Sequence, residues 1–264
     1  MSYSTKDQIL ALLMRAGGNY ISGEEASRSI GLSRAAVNTA VRSLREEGYI
    51  IESVTNRGYR LTEMPDALTT GTLLSALSQE RMDHVICLPT VTSTNIHLME
   101  LAQQDAPDGQ VVIAEMQTNG RGRIGTRFDS PKGKGIYLSY LIRPGVIEGE
   151  SSFVSDWRTI TERVGKSVCS VISGLCGITP KLKGNELLIN GRKFCGILTQ
   201  TDMEVESGMI RALIVGIGIN VHQTVSDLAG TGSLTSLDME TGRPNSRPAI
   251  AASLILSLDK LRIN

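Results

Sequence analysis

Six residues, Gly120-Arg121-Gly122-Arg123-Ile124-Gly125, combine backbone freedom with fixed positive charge. Glycine admits positive φ and close approach, so this stretch fits neither a helix nor a regular strand. Its N–H groups can converge on an anion. The planar arginine fork suits a carboxylate or phosphate. The chemistry offered is therefore anion binding, a loop folding over a phosphorylated or acyl-phosphate compound. The plain alternative is a solvated basic loop, and the local sequence leaves both open. The pattern is neither G-x-G-x-x-G opening a helix nor a loop ending in GK[ST], so neither dinucleotide-binding nor P-loop chemistry is indicated.

Other chemistry is poorly represented. His84, His97 and His222 share no metal-ligand spacing with a carboxylate, and no Ser-His-Asp or H-E-x-x-H arrangement occurs. The expectation is no metal site and no catalytic histidine. Cys87, Cys169, Cys176 and Cys195 are scattered without C-x-x-C, as free thiols in a reducing cytoplasm would be. The 27 basic and 27 acidic residues balance, so any basic surface is local. No run approaches the roughly 18 apolar residues of a membrane span. The expected location is the cytoplasm, with no membrane partner.

These residues need elements to position them. Apolar spacing predicts a helix over 7–15, a second beginning at Ser22-Gly23, and a third capped by Ser33 and ending at Gly48. Helix, glycine turn, helix is the helix-turn-helix pattern, whose second helix enters the major groove. On that helix Val37, Val41 and Leu44 face inward, leaving Arg34, Asn38, Arg42 and Arg45 outward. Arginine and asparagine pair with guanine and adenine edges. Strands over 49–54 and 59–62 form the hairpin of a winged helix, with Arg57 near a phosphate. The DNA-binding set is Ser33, Arg34, Asn38, Arg42, Arg45 and Arg57. The domains read as 1–63 winged helix-turn-helix, 64–67 linker, and 68–264 ligand-binding or catalytic.

The second domain is predicted to hold a helix over 68–77 and strands over 84–90, 110–117, 136–142, 179–183, 187–189, 193–199 and 210–221. Helices cover the stretch after Asn95, residues 151–174 and residues 246–261. Asn190-Gly191 marks a type I′ hairpin turn. Gly216 and Gly218, inside a strand, suggest close approach by ligand or backbone. Ser93 reads locally as a helix cap. Strands and helices mix without βαβ regularity, so the class is α+β.

The order of motifs carries more than any one. A winged helix, then VTSTN, AEMQTNGRGRIG, SPKGKGIYLS, GRKFCGIL and VGIGINV resembles the bacterial biotin protein ligases that double as biotin repressors. The resemblance runs from about residue 7 to the end. It implies a winged helix-turn-helix followed by a biotin/lipoyl-ligase-like mixed sheet with helices. It implies biotin contacts at Ser93, Thr94, Asn95, Gln117, Gly120, Arg121, Gly122, Arg123, Lys193, Gly196 and Leu198. Phe128, Asn185 and Asn220 fall on adenylate positions, Phe128 where the family has an adenine-stacking tryptophan. Lys193 and Arg123 fall where the family stabilises charge during acid activation.

Besides Phe128 for tryptophan, two further departures accompany it. The family's KWPND segment, serving ATP phosphates and magnesium, reads Leu182-Lys183-Gly184-Asn185-Glu186, with Lys183 offering a cation one position along. The family's small C-terminal domain has no counterpart in the 264 residues. The leading expectation is a divergent member acting as a transcriptional repressor, with biotin, biotinyl-5'-adenylate or a related ring carboxylate as effector. The alternative is an active bifunctional biotin-[acetyl-CoA-carboxylase] ligase and biotin operon repressor, using ATP and Mg2+ and a biotin acceptor protein. A third reading is an enzyme adenylating lipoate or octanoate. Expected partners are operator DNA, the effector and a second copy in a homodimer, pairing through a sheet edge in 136–142 and 193–199.

Overall fold

The structure, a computed structural model, describes residues 4–123, 126–143, 157–204, 206, 209–228 and 232–262. The chain divides into two compact units, Met1–Asp83 and His84–Asn264.

The first unit opens with α1 (Thr5–Arg15), α2 (Gly23–Ile30) and α3 (Arg34–Glu46). Serine starts all three: Ser4, Ser22 and Ser33 accept from the N–H groups of Asp7, Glu25 and Ala36. Each cap satisfies a backbone donor that the helix cannot. Gly31, left-handed at φ 67°, ends α2 and turns the chain into α3. Ile9, Leu10, Leu13, Ala26, Val37, Val41 and Leu44 bury one common core with Tyr49 and Ile51. The wing is β1 (Ile50–Val54) paired antiparallel with β2 (Gly58–Glu63). Gly58 sits at φ 101°, and a Cβ there would lie 2.0 Å from the Ile21 carbonyl. That close approach lets Ile21 and Tyr59 exchange two backbone hydrogen bonds, tying the wing to the helices.

Residues 64–67 do not separate the two units. α4 (Thr70–Leu74) packs on α1, where Arg15 donates to the Leu74 carbonyl at 2.5 Å, and α5 (Gln79–Met82) follows. The division after Asp83 thus places 68–83 with the helix-turn-helix rather than with the ligand domain expected from the sequence.

The second unit is a seven-stranded sheet with strands β3 (Val85–Leu88), β4 (Val111–Ala114), β5 (Gly135–Ile142), β6 (Lys181–Lys183), β7 (Glu186–Ile189), β8 (Arg192–Met203) and β9 (Ile210–Asn220). Their order across the sheet is β3-β4-β5-β9-β8-β7-β6. Only β3 and β4 are parallel, joined through α6 (Thr94–Gln103). Asn190 (φ 52°) and Gly191 (φ 79°) make the β7–β8 turn, as a type I′ geometry requires.

Side chains alternate between faces along each strand. On one face α6 packs over Val112, Leu141, Ala212 and Ile214. On the other lie α7 (Trp157–Cys176) and α9 (Arg247–Asp259), where Tyr140 donates to Asp259 at 2.7 Å and Thr161 meets Thr199 at 2.9 Å. Ser246 caps α9. Buried Arg247 reaches Glu115 at 2.9 Å and the Gly135 carbonyl at 3.2 Å, so its charge is both paired and hydrogen-bonded.

The expected sheet edge is corrected. β5 is interior, paired on both sides. β8 pairs with β9 along its length and with β7 over Arg192–Gly196, so only its later residues border an open edge. The sheet ends in β3 and β6. Residues 151–156 of the predicted long helix lie outside the described residues. A short helix, α8 (Leu237–Thr241), was not expected from the sequence.

Candidate functional site

A cavity of about 350 Å³ opens on the α6 face of β9 and β8. Two glycines in β9 make room there. A Cβ on Gly216 would lie 2.1 Å from Asn95 Oδ1, and one on Gly218 would lie 2.6 Å from the Phe128 ring. The strand glycines flagged by the sequence thus permit side chains from α6 and the glycine-arginine loop to cross the sheet closely.

Neutral hydrogen-bonding groups form one part of the wall. Ser93 occupies the cap position of α6 but makes no capping bond, so its hydroxyl is a cavity group and the cap reading is corrected. Gln117 replaces the cap: its Oε1 accepts from the Thr94 N–H at 2.9 Å and the Thr94 hydroxyl at 3.1 Å. Its Nε2 donates to Ser130 Oγ at 2.8 Å. Asn95 Nδ2 donates to Gln200 Oε1 at 2.8 Å, and the buried Ser139 hydroxyl lies 2.6 Å from Asn95 Oδ1 and 2.8 Å from Thr94 Oγ1. Ser139, Ser130 and Gln200 were not anticipated. A single serine inside the apolar run of β5 was the one signal for Ser139.

Charge gathers in the other part. The loop is a tight hairpin: Gly122 N–H donates to Thr126 O at 2.7 Å, and Phe128 N–H to Gly120 O at 2.9 Å. Ile124 and Gly125 lie outside the described residues. Arg121, Gly122, Arg123 and Arg127 from this hairpin line the cavity with Asn185, Glu186, Lys193, Gly196 and Leu198. Gly120 lines a neighbouring cleft and passes against the Phe128 carbonyl, leaving no space for a Cβ. Arg123 donates to Asn185 Oδ1 at 3.2 Å, and Lys193 to Glu186 Oε1 at 2.7 Å. A bulge at Leu187/Leu188 shifts the β7–β8 register beside Lys193. Strict alternation would separate Lys193 from Gly196; the bulge lets both face the cavity.

Phe128 lines the cavity, and two further residues, Asn220 and Lys183, sit away from it. Phe128 packs over Gly218 and edge-on to Tyr137, with ring centres 6.3 Å apart, so its ring belongs to the floor of the cavity. Burial pushes the Tyr137 phenol above its ordinary range, and its hydroxyl donates to the Pro131 carbonyl at 3.0 Å. Asn220 does not line the cavity; its amide donates to Thr235 O at 3.2 Å and its Oδ1 accepts from Gln223. Lys183 alternates away from Leu182 on β6, and Leu182 instead lines an adjoining cleft. Its side chain fills the space over Gly165 of α7, where a Cβ would meet it at 2.6 Å.

On the first unit, Arg34, Asn38 and Arg42 are exposed on α3. Arg34 pairs with Glu24 at 2.9 Å, and Asn38 accepts from the Tyr59 hydroxyl of the wing. Arg45 is turned back, donating to the Ile51 carbonyl at 2.5 Å and to Ser53 at 2.6 Å. Arg57 lies over the Tyr20 ring, 4.5 Å from its centre, with Arg60 at 4.7 Å. Tyr20 also donates to Glu52; with Arg60, this bond holds the Glu52 carboxyl below its ordinary range.

Among the described residues no group of three or more His, Cys, Asp or Glu could hold a metal ion, and no helix is long and apolar enough to cross a membrane.

Comparison with known proteins matches both units. A helix-turn-helix domain model covers residues 5–60, and the model of the biotin/lipoate A/B protein ligase family covers 86–220. The bifunctional ligase/repressor BirA of Bacillus spizizenii is 34% identical over 264 residues, 98% of this chain and 79% of that protein. Its namesake from Escherichia coli is 30% identical over 254 residues, 95% and 74% of the two chains. Among solved structures, the biotin protein ligase from Aquifex aeolicus in complex with biotin and ATP has a TM-score of 0.53 at 26% identity, covering 67% of this chain and 68% of that one.

Proposed function

The chain belongs to the biotin/lipoate A/B protein ligase family, and on that premise we propose that it is a DNA-binding repressor whose cavity takes biotin, or a related ring carboxylate, as effector. The observation that carries this reading is one cavity walled by two kinds of group. Ser93, Thr94, Asn95 and Gln117 offer neutral donors and acceptors for a ureido ring. Arg121, Arg123 and Lys193 offer cations for a carboxylate or acyl phosphate, with Ile197, Leu198 and Phe128 as apolar wall between. The regulator would act as a homodimer reading two half-sites. Arg42 is the base-reading arginine that the geometry favours, because Arg45 is spent on the wing.

The phosphate side supports ligand sensing over turnover. Where the resemblance expects a lysine, Leu182 is anchored on Gly165. Magnesium borne on a nucleotide needs one or two carboxylates. Among the described residues lining the cavity, Glu186 alone carries one, and Lys193 holds it. With that carboxylate already held by Lys193, the described cavity wall offers no unpaired carboxylate to a magnesium nucleotide and does not fit one.

Calorimetry with biotin alone tests the effector, with heat expected from the full chain. Operator titration tests DNA reading: Arg42→Ala is expected to cost about 1–3 kcal/mol and relax specificity. Unchanged operator affinity after removal of the helix-turn-helix would refute it. A second reading, an active ligase that also represses, is favoured by the likeness along 98% of the chain to proteins named ligase/repressor. Arg123 and Lys193, both in the cavity, favour it too. Pyrophosphate release from ATP with biotin at ordinary ligase rates would establish it over the first, and a biotin acceptor protein would then be a further partner.

A further inference from the structure

The contact between Lys193 and Glu186 is built by the fold. The Lys193 backbone is held on both sides, its N–H donating to Ser233 O at 2.7 Å and its carbonyl accepting from Thr235 N–H at 2.8 Å. The residue before Glu186 is held as firmly: the Asn185 carbonyl accepts from Ile197 N–H at 2.8 Å, and its amide donates to Ile197 O at 2.9 Å. Two clamped backbones thus present an ammonium and a carboxylate 2.7 Å apart inside the cavity. Their side chains remain 27% and 43% exposed, so a ligand can reach both. A carboxylate ligand that needs Lys193 must therefore displace Glu186 or lie beside it, like charge against like.

We propose that Glu186 is a specificity-determining residue, an internal competitor for Lys193 that makes the cavity accept an uncharged ester or amide of the ring acid as readily as the acid itself. This deepens the effector reading above and rests on it. With Lys193 already neutralised, and the charges of Arg121 and Arg123 exposed to solvent screening, the ligand's anionic end adds little, and recognition falls to the neutral groups around Thr94 and Gln117. The ligand class becomes the acid and its amide-linked forms together.

The test is calorimetry on the full chain with biotin and with biotin methylamide. In the unmodified protein the two dissociation constants are expected within about twofold. In Glu186→Gln the acid is expected to gain about fivefold over the amide, the worth of a partly exposed ion pair. Glu186→Asp, with a shorter reach, is expected to lie between and guards against a misfolded glutamine variant. A tenfold preference for the acid in the unmodified protein, or an unchanged ratio in both variants, overturns the proposal. If neither compound gives heat with any of the three proteins, the biotin reading fails and Lys193 itself decides the matter. Its labelling by an amine reagent, read by peptide mass spectrometry, is expected to rise in Glu186→Gln and to be suppressed there by inorganic phosphate at lower concentration than in the unmodified protein. Equal labelling and equal protection overturn the competitor role.

Discussion

The neutral and charged parts of the cavity wall are held in opposite ways. Thr94, Asn95, Gln117, Ser130 and Ser139 bond one another in a largely buried network fixed before any ligand arrives. Arg123 is exposed, and Asn185, Glu186 and Lys193 are half-exposed; Lys193 and Glu186 are turned on each other, and Arg123 on the Asn185 amide. The first part gives shape at the risk of heavy loss if one member is removed, because a buried group left unsatisfied is costly. The second gives charge that is cheap to rearrange, because solvent screens it.

The contrast can be broken hardest at Gly216. Gly216→Ala places a methyl 2.1 Å from Asn95 Oδ1 and must expel the amide from its bonds. We expect about 2–3 kcal/mol of lost stability and no measurable biotin heat. Retained binding would mean the neutral network is softer than its geometry. Ser139→Ala removes the hydroxyl serving Asn95 and Thr94 without adding volume. Chemical denaturation is expected to show a loss of about 1–2 kcal/mol, with weakened biotin binding. Leu182→Lys sharpens the comparison from the charged side. It is expected to raise pyrophosphate release about tenfold if a phosphate-side cation is what the cleft lacks. No change would locate the deficit in Glu186 instead.

The smallest effect is expected outside the cavity, at Asp227. The Thr224 N–H first, then Lys134 and the Thr224 hydroxyl, hold its carboxyl down at about 2. A depressed carboxylate contributes stability above its unfolded value, and that contribution fades as pH falls toward 2. Asp227→Asn is expected to cost a few tenths of a kcal/mol at neutral pH, since the pair with Lys134 is solvent-screened. The difference from the unmodified protein, followed by thermal unfolding, is expected to shrink between pH 4 and pH 2.

Legibility in the sequence followed the range of the interactions. Serine caps, the Asn190-Gly191 turn and the inward face of α3 involve neighbours within a few residues, and their patterns announce them. The motif residues that share the cavity wall lie in short runs, and those runs are visible for the same reason. Gln200 and the Arg247–Glu115 pair act across the sheet from distant positions, and no local pattern marks them; Ser139 is marked only by being a lone serine in an apolar strand. Ser93 misled because a serine before a helix usually caps it, and only the fold brings Gln117 to do so instead. Arg45 is exposed as helical spacing predicts, but the spacing could not show the wing carbonyl that it reaches. The bulge at Leu187/Leu188 breaks the alternation from which any face assignment near Lys193 must start.

β9 lies between β5 and β8 in the sheet. Ile142 pairs with Leu213 and Gly135 with Asn220, so the central strand of the sheet joins on one side a partner, β5, made long before it. Contacts so far apart in sequence form slowly, whereas the helices of the first unit fold from near neighbours. As the chain leaves the ribosome, α1, α2 and α3 can assemble while the cavity has no floor. When β9 enters between β5 and β8, it brings Gly216 and Gly218 together with the walls they accommodate. The helix-turn-helix is therefore complete early in synthesis, and the cavity arrives in a single late event.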